Sequence, residues 1–354
     1  MDELNIDEKQ QGDGLIVRRK GPRWRKPQNR LNEPIKPWGK KERELVLFIF
    51  LATSLISTFL ALSARAYKLP NMPRLSLPKG SFLKSFFEGK TIVFEKDEKK
   101  EDRKMEQKKE LIISRFKAET AKFSGVYSLY VIDLDSGFSF GVNEDETFDA
   151  ASLIKLPVIG AMYRLAEKGK INLEEKYSLK NSDKASGAGI LYGKPAGYLV
   201  SYSEILYLMG NQSDNTAFVI ARNKVGKEEI QKLIDELGMK NTVFETRQTT
   251  PRDIGIFFLK LWQGKVVNDE NKNKILDSLT KTAYETYLPA GLSGSNVRIA
   301  HKFGTLTNII NDAGIVFSKR PYVIVVMSDG IIEREAKVVI PTISRIVFEE
   351  MDKD

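Results

Sequence analysis

The sequence predicts an α/β (α+β) domain in which an antiparallel β-sheet is flanked by N- and C-terminal helices and encloses an inserted all-helical subdomain. Two observations predict this arrangement: strand patterns occur towards both ends of the domain, and mainly helical patterns lie between them. A third observation, an uncharged apolar run, places one transmembrane helix ahead of the domain. The first hundred of the 354 residues are largely polar or rich in proline, so the compact part is smaller than the chain.

The strands are predicted from alternating apolar and polar residues. Residues 127–134 alternate and are rich in β-forming side chains, and residues 138–141 repeat the pattern after the turn Asp135-Ser136-Gly137. This arrangement predicts a hairpin. Three further strands are predicted late in the chain, at 297–303, 312–317 and 322–327.

Helices are predicted from apolar residues that recur on one face. A first helix carries an apolar stripe between Leu111 and Ala118, and a final amphipathic helix covers residues 333–351. The helices predicted between the two groups of strands cover residues 152–167, 203–209, 215–223, 227–236, 251–262 and 271–280.

The N-terminal hundred residues predict a membrane protein. Residues 45–64 carry no charge, and 20 helical residues at about 1.5 Å each span a hydrocarbon core of about 30 Å. A buried core helix is the alternative, and Ala64-Arg65-Ala66 resembles a signal-peptidase site, but the long preceding tail favours a retained anchor. The predicted segments are a disordered basic cytoplasmic tail (1–44), the anchor (45–64), a stalk (65–105) and an extracytoplasmic domain (106–354).

Charge and composition exclude several function classes. The net charge of +9 arises between Arg18 and Arg43, where 11 Lys and Arg residues face two Glu residues. A basic block beside an apolar run indicates orientation in a bacterial cell membrane rather than binding of nucleic acid. The chain has no cysteine and a single histidine, His301, so we predict no disulfide, no metal site and no cofactor.

A serine followed three residues later by a lysine is the first candidate catalytic feature. Ser152 and Lys155 follow the predicted hairpin and open a helix, where positions i and i+3 lie on one face and the amine can take the proton of the hydroxyl. The helix start also supplies free backbone N–H groups. Four other Ser-x-x-Lys matches occur in the chain, so the pattern alone also fits a capping serine beside a surface lysine.

Two further elements accompany this pair. Ser213-Asp214-Asn215 lies between two predicted helices, where a hydroxyl can pass a proton to a leaving amine and an amide can orient a substrate, although simple helix capping also explains it. Lys302-Phe303-Gly304-Thr305 lies at the end of a predicted strand. Gly304 permits a close approach of substrate, and the backbone N–H of Thr305 pairs with that of Ser152 as an oxyanion hole.

In this order and at these intervals the three elements resemble the S-x-x-K, S-D-N and K-T-G signatures of the class A β-lactamases and the related penicillin-binding proteins. The resemblance covers residues 106–354. It implies the β-lactamase and transpeptidase-like architecture and an acyl-enzyme mechanism. By this resemblance Ser152 is the nucleophile, Lys155 the base, Ser213 a proton relay and Lys302 a source of positive potential. Asn215, Gly304 and Thr305 are implied to bind substrate.

Departures from the family pattern keep the substrate open. The loop that carries the deacylating glutamate is short, so Glu245 is a doubtful substitute for that base, and Phe303 replaces a Ser or Thr that helps to bind the substrate carboxylate. Three functions therefore remain: a β-lactamase-like hydrolase that opens β-lactam rings, a D,D-peptidase or transpeptidase that acts on stem peptides of peptidoglycan, and a catalytically silent binding domain.

Overall fold

A computed structural model describes the chain over residues 40–66 and 82–353. The predicted tail up to residue 39 and residues 67–81 of the predicted stalk lie outside the described residues. The chain divides into two compact units, Met1–Phe82 and Leu83–Asp354, which are described separately.

The first unit contributes one described helix, α1 (Lys40–Ala66), which includes the predicted anchor at residues 45–64. Its described apolar side chains are largely exposed, with Phe48 at 70% and Phe50 at 69%. From residue 58 onwards only the backbone of α1 is described. Across the described residues, no helix is long and apolar enough to cross a membrane.

The second unit has nine described helices and nine described strands. The helices are α2 (Phe82–Thr120), α3 (Lys155–Glu167), α4 (Tyr202–Asn211), α5 (Asn215–Val225), α6 (Lys227–Leu237), α7 (Pro251–Trp262), α8 (Asp269–Ser278), α9 (Leu288–Gly291) and α10 (Glu333–Met351). The strands are β1 (Val126–Asp133), β2 (Ser139–Val142), β3 (Phe148–Asp149), β4 (Lys176–Ser178), β5 (Leu199–Ser201), β6 (Gln248–Thr249), β7 (Arg298–Leu306), β8 (Ile309–Phe317) and β9 (Tyr322–Asp329).

Five strands form one antiparallel sheet in the order β2-β1-β9-β8-β7. The predicted hairpin is present, because β1 pairs with β2 from Leu129 opposite Val142 to Ile132 opposite Ser139. The N-terminal strand β1 lies between β2 and β9 and pairs along its length with β9. The strands from both ends of the domain therefore form a single sheet, and β7 is one of its edges.

Both faces of this sheet are buried, so successive residues of β1 pack into different cores. Leu129 and Val131 join the apolar cluster that includes Phe116 of α2 and Val339 of α10. Tyr130 and Ile132 join the larger cluster formed with the helical subdomain. The sequence prediction of terminal helices on the sheet and an inserted helical subdomain is confirmed.

Some predicted boundaries change for local reasons. The helix predicted at 271–280 spans Asp269–Ser278, because the Asn268 side chain caps it by accepting a hydrogen bond from the N–H of Asn271 (2.9 Å). Strands β7 and β8 are longer than predicted because they form a hairpin around Thr307 and Asn308, which has the left-handed φ of +60° that such turns favour.

The helix predicted to begin at Ser152 begins instead with a 3-10 turn, Ala151–Ile154, and becomes regular at Lys155. A short strand pair that the sequence pattern did not indicate supports this turn. Strand β3 pairs with β6, and the N–H of Ala150 donates to the carbonyl of Arg247 (2.8 Å). The segment before Ser152 is thereby fixed to the segment before α7.

Candidate active site

The turn that carries Ser152 is held in an unusual backbone conformation. Ala151 has a φ of +46°, which is uncommon for a residue with a Cβ, and its N–H donates to Oδ1 of Asp149 (2.8 Å). The first hydrogen bond of the turn runs from the N–H of Leu153 to the carbonyl of Ala150 (2.9 Å). The N–H of Ser152 lies one residue before that donor, among the N–H groups that a helix start leaves without an intrahelical partner. Ser152 itself is partly exposed and lines a cleft.

Lys155 is almost completely buried behind Ser152, with 2% of its surface exposed. Its Nζ donates to the carbonyl of Ser213 (2.5 Å), to Oγ of Ser213 (3.1 Å) and to Oδ1 of Asn215 (2.8 Å). These three bonds match the three donors of an ammonium group. The amine is thus directed to the Ser213–Asn215 turn, and its hydrogen bonds connect two of the three predicted motifs.

Burial lowers the pKa of Lys155 to about 7; the carboxylate of Asp214 opposes this decrease and the charge of Arg247 adds to it. Burial has this effect because a low-dielectric surrounding disfavours the charged form of an amine. A neutral amine, which a general base requires, is therefore accessible near neutral pH.

The Ser213–Asn215 turn is fixed by its central aspartate. Asp214 is fully buried, caps α5 through the N–H of Ala217 (2.9 Å) and accepts from the N–H groups of Ile190 (2.7 Å) and Leu191 (2.9 Å). Ser213 adopts a φ of +54°. The capping interpretation was therefore correct for Asp214, while its two neighbours face the cleft.

The loop at residues 185–191 packs against this turn through glycines. A Cβ on Gly189 would lie 2.2 Å from the Asp214 side chain, and a Cβ on Gly187 would lie 2.8 Å from Nδ2 of Asn215. Both glycines also have positive φ angles, +93° and +112°. Nδ2 of Asn215 donates to the carbonyl of Ser186 (2.7 Å). Each polar end of this amide thus has one protein partner and keeps a second hydrogen-bonding position for a substrate.

The edge strand β7 forms the opposite wall. The N–H of His301 points away from β8 and donates to the carbonyl of Leu279 (2.7 Å). Because hydrogen-bonding directions alternate along a strand, the N–H of Thr305 also points outwards from this edge. A Cβ on Gly304 would lie 2.8 Å from the N of Ser152, so only a glycine allows β7 to approach the turn that carries Ser152 this closely.

Lys302 is buried at the back of the same wall, with 1% of its surface exposed, and Nζ donates to the carbonyl of Phe303 (2.9 Å). Burial lowers its pKa well below the usual value; the charge of Lys155 adds to this effect and Asp312 opposes it. The charge of Lys155 thus favours the neutral form of Lys302, whereas the cation that lowers the pKa of Lys155 is Arg247.

His301 lies on the opposite face of β7, as strand alternation predicts. Its Nδ1 bonds to Oδ1 of Asp312 (2.7 Å) and its Nε2 to Oγ1 of Thr282 (2.9 Å). Burial alone would lower the pKa of His301, but Asp312 and Glu285 outweigh it and raise that pKa to about 9. His301 therefore belongs to the scaffold behind the cleft and does not face Ser152.

The cleft has a volume of about 450 Å³. Its lining brings together five predicted site residues: Ser152, Lys155, Ser213, Asn215 and Thr305. The predicted residues Lys302, Gly304 and Glu245 are not among the described lining residues. Phe303, which the sequence analysis named as a departure from the family pattern, also lines the cleft. The lining residues that the sequence analysis did not predict are Ala151, Ile154, Ala185, Gly187, Ala188, Phe218, Val219, Arg222, Arg247, Tyr284 and Leu306. No aspartate or glutamate belongs to this lining within the described residues.

Several of these additional residues follow a helical rule that could have identified them. Phe218, Val219 and Arg222 are three, four and seven residues after Asn215, so they lie on the same face of α5. Phe303 lies inside the third motif, between Lys302 and Gly304, but the contacts of its ring are set by tertiary packing. Its ring stacks against Tyr284 and Tyr287, with centroids 4.9 and 4.8 Å away.

Glu245, the doubtful base, is not brought to the cleft. It is fully exposed, and its carboxylate bonds to Nζ of Lys227 (2.8 Å). Lys227, and more weakly Arg222 and Arg247, lower the pKa of Glu245, so it remains ionised at neutral pH in an ion pair on the surface. Arg247 has a φ of +58°, and Glu245 is not among the described residues that line the cleft.

A five-stranded antiparallel sheet with an inserted helical subdomain, and a serine beside a buried lysine in the cleft between them, define a serine hydrolase of the β-lactamase-like class. The chain belongs to the β-lactamase enzyme family, whose model matches residues 111–351. The resemblance inferred from the three motifs is thus confirmed.

Individual relatives agree with this family. β-Lactamase CARB-3 of Pseudomonas aeruginosa is 23% identical over 208 residues, which are 53% of this chain and 72% of that protein. The structure of PBP-A is 30% identical with a TM-score of 0.64, covering 68% of this chain and 95% of that chain. A β-lactamase from Sphaerobacter thermophilus has the same fold, with 24% identity and a TM-score of 0.64, covering 68% of this chain and 97% of that one.

Proposed function

We propose that Ser152 is acylated by β-lactams and by the stem-peptide amides of peptidoglycan, and that the acyl-enzyme is released slowly, as in a D,D-peptidase or transpeptidase. The observation that carries this proposal is the composition of the cleft: a nucleophile and a base are present, but no carboxylate among the described lining residues is available to activate water. Acylation is therefore supported more strongly than rapid hydrolysis.

Acylation uses the groups described above. Lys155, in its neutral form, removes the proton of Ser152 as Oγ attacks the carbonyl carbon. The N–H groups of Ser152 and Thr305 stabilise the negative oxygen of the tetrahedral intermediate. As the carbon–nitrogen bond breaks, the proton moves from Lys155 through Oγ of Ser213 (3.1 Å away) to the leaving nitrogen. The acyl group remains on Ser152, and Lys155 returns to its neutral form.

Work on a relative supports the first half of this cycle. A structure of a PBP-A mutant is an acyl-enzyme complex with penicillin G; it is 30% identical to this chain and covers 68% of it, with a TM-score of 0.63. A β-lactam that acylates a protein of this similarity is the natural first ligand to test on Ser152.

Rapid β-lactam hydrolysis is the second candidate, and the similarity to β-lactamase CARB-3 favours it. A catalytically silent binding domain is the third, because Phe303 occupies the position of a substrate-binding hydroxyl. Lys155 opposes this third interpretation. Its buried amine bonds to Ser213 and has a pKa lowered to about 7, which a binding domain does not need.

One experiment separates the three candidates. The protein is incubated with a fluorescent penicillin, and its intact mass is followed with time. We expect a lasting adduct on Ser152 that Ser152→Ala abolishes. Transient labelling with drug turnover would indicate a β-lactamase, and no labelling at high concentration would indicate a binding domain.

We further propose that residues 45–64 anchor the chain in a bacterial cell membrane, with the N-terminus in the cytoplasm and the catalytic domain outside. The support is the uncharged run of 20 residues and the basic block that precedes it. Extraction of the full chain from membranes by detergent but not by alkaline carbonate is the expected result. Release by carbonate would contradict the anchor.

A further inference from the structure

The cleft has two arginines that take part in no bond-making or proton-transfer step of the acylation mechanism. Arg222 and Arg247 both belong to its lining. Within the described residues neither guanidinium forms an ion pair, and the hydrogen bonds of the Arg222 guanidinium go to Oδ1 of the adjacent Asn223. The exposed carboxylate of Glu245 interacts with both arginines, but it lies outside the lining and bonds to Lys227. Because the described lining has no acidic side chain, the cleft keeps a net positive potential.

Each arginine is positioned by the elements that position the catalytic residues. Arg222 lies on the cleft face of α5, two turns after Asn215, and its guanidinium carbon is 5.8 Å from the centroid of the Phe218 ring. Nζ of Lys155 lies at the same distance from that ring. Arg222 and the proposed base therefore contact one aromatic side chain.

Arg247 is attached to the nucleophile segment through its backbone. Its carbonyl accepts from the N–H of Ala150, two residues before Ser152, and this bond does not involve the side chain. The guanidinium is exposed and its charge acts on Lys155. A substitution that keeps the backbone can therefore remove the charge without releasing the turn that holds Ser152.

The positions of the two arginines indicate which part of a substrate they meet. The leaving nitrogen must lie beside Ser213, which delivers its proton, and the carbonyl oxygen must lie at the N–H groups of Ser152 and Thr305. The acyl substituent of the same carbon then extends in the remaining direction, towards α5 and the segment before β6. A guanidinium binds a carboxylate through paired N–H donors, so an acidic group on this substituent fits the wall best.

We infer that Arg222 and Arg247 form an anion subsite that selects substrates whose acyl side chain carries a carboxylate. This inference rests on the proposed function, because it names the substrate class of the same cleft. Partly exposed charges interact weakly and are screened by salt, so we expect a preference of about tenfold at low ionic strength that declines as salt is added.

The test uses two penicillins whose acyl side chains differ by a single carboxylate, benzylpenicillin and carbenicillin. The second-order rate constant of acylation is measured for both by intact mass, in the wild type and in Arg222→Gln/Arg247→Gln. The ratio of the two constants is the readout, since any change in the basicity of Lys155 affects both substrates alike. Arg298→Gln, which removes one positive charge from a strand residue outside the cleft lining, is the matched control.

We expect the wild type and Arg298→Gln to favour carbenicillin about tenfold, and the double variant to lose this preference. A ratio that is the same in the wild type and the double variant, or an equal loss in Arg298→Gln, would overturn the subsite. If neither penicillin labels the wild type, the proposed function fails instead. If both label it without preference, only the subsite fails.

Discussion

His301 and Lys302 are neighbours on β7, both are buried, and both are bases, yet their pKa values move in opposite directions. The carboxylates of Asp312 and Glu285 raise the pKa of His301 to about 9. On the other face Lys302 donates to a backbone carbonyl, and burial together with the charge of Lys155 lowers its pKa well below the usual value. The difference arises from the partners each face supplies, because burial disfavours both cations.

This contrast separates scaffold from site. On the scaffold face a charged pair with hydrogen bonds at both ring nitrogens joins β7, β8 and the segment around Thr282. Among the described residues, neither lysine of the cleft face forms a salt bridge with a carboxylate. Asp214 acts on Lys155 and Asp312 on Lys302 only electrostatically, and the hydrogen bonds of Asp214 are made to backbone N–H groups. A paired cation stabilises the fold, whereas an unpaired amine costs stability but can accept a proton.

The largest expected effect is the loss of the base on the cleft face. Lys155→Ala should lower the second-order rate constant of acylation by benzylpenicillin about 10³- to 10⁴-fold, because nucleophile and base act as a unit. In the wild type the same rate constant should rise from pH 6 to pH 8 with an apparent pKa near 7, since the neutral amine is the reactive form. Both are measured by intact mass.

Lys168→Ala is the matched control, because Lys168 follows the last residue of the same helix and is exposed. We expect it to label like the wild type. Equal labelling of Lys155→Ala and Lys168→Ala, or a rate that does not change between pH 6 and pH 8, would contradict the role of the amine.

A smaller effect is expected on the scaffold face, and it concerns stability. His301→Gln removes the cation of a buried pair and should lower the free energy of unfolding by about 3 kcal/mol at pH 6. Because the folded pKa of about 9 lies above the unfolded value of 6.5, the contribution of protonated His301 is complete below pH 6.5 and is lost as the pH rises through 9.

Urea unfolding of both proteins between pH 6 and pH 10 measures this difference. Lys155 and Lys302 have lowered pKa values and change the stability with the opposite sign, but they are present in both proteins and cancel in the difference. A constant difference across this range would show that His301 is neutral in the folded protein.

Sequence reasoning predicted the parts of the molecule that depend on local patterns. The sheet and helical subdomain follow from periodicity, and Ser152, Lys155, Ser213 and Asn215 meet in one cleft as the motifs indicated. The direction of the lysine hydrogen bonds was not predictable, since Nζ of Lys155 contacts a turn 58 residues away in sequence. The short pair of β3 with β6 was missed because two-residue strands carry no period.

The stacking of Phe303 between Tyr284 and Tyr287 shows the same limit at the site itself. The sequence shows only that Phe303 lacks the hydroxyl of the family's Ser or Thr. In the fold its ring is buried by two tyrosines, which come from the same segment as Thr282, the hydrogen-bond partner of His301. Aromatic packing of this kind depends on which residues meet in three dimensions. The Phe303 side chain therefore connects the cleft wall with the residues that pack on the scaffold face of β7.

The smallest effect is expected for a substitution of Glu245, where an unchanged rate of deacylation is itself the prediction. If the acyl-enzyme is long-lived because the cleft lacks a carboxylate, Glu245→Gln should leave the rate of deacylation after labelling with benzylpenicillin unchanged within about twofold, since Glu245 is exposed and bound to Lys227. Lys227→Gln breaks the same surface ion pair from the other side and should behave identically. A loss of deacylation in Glu245→Gln alone would mean that this segment moves to place the carboxylate beside Ser152, and the slow release would then need another cause.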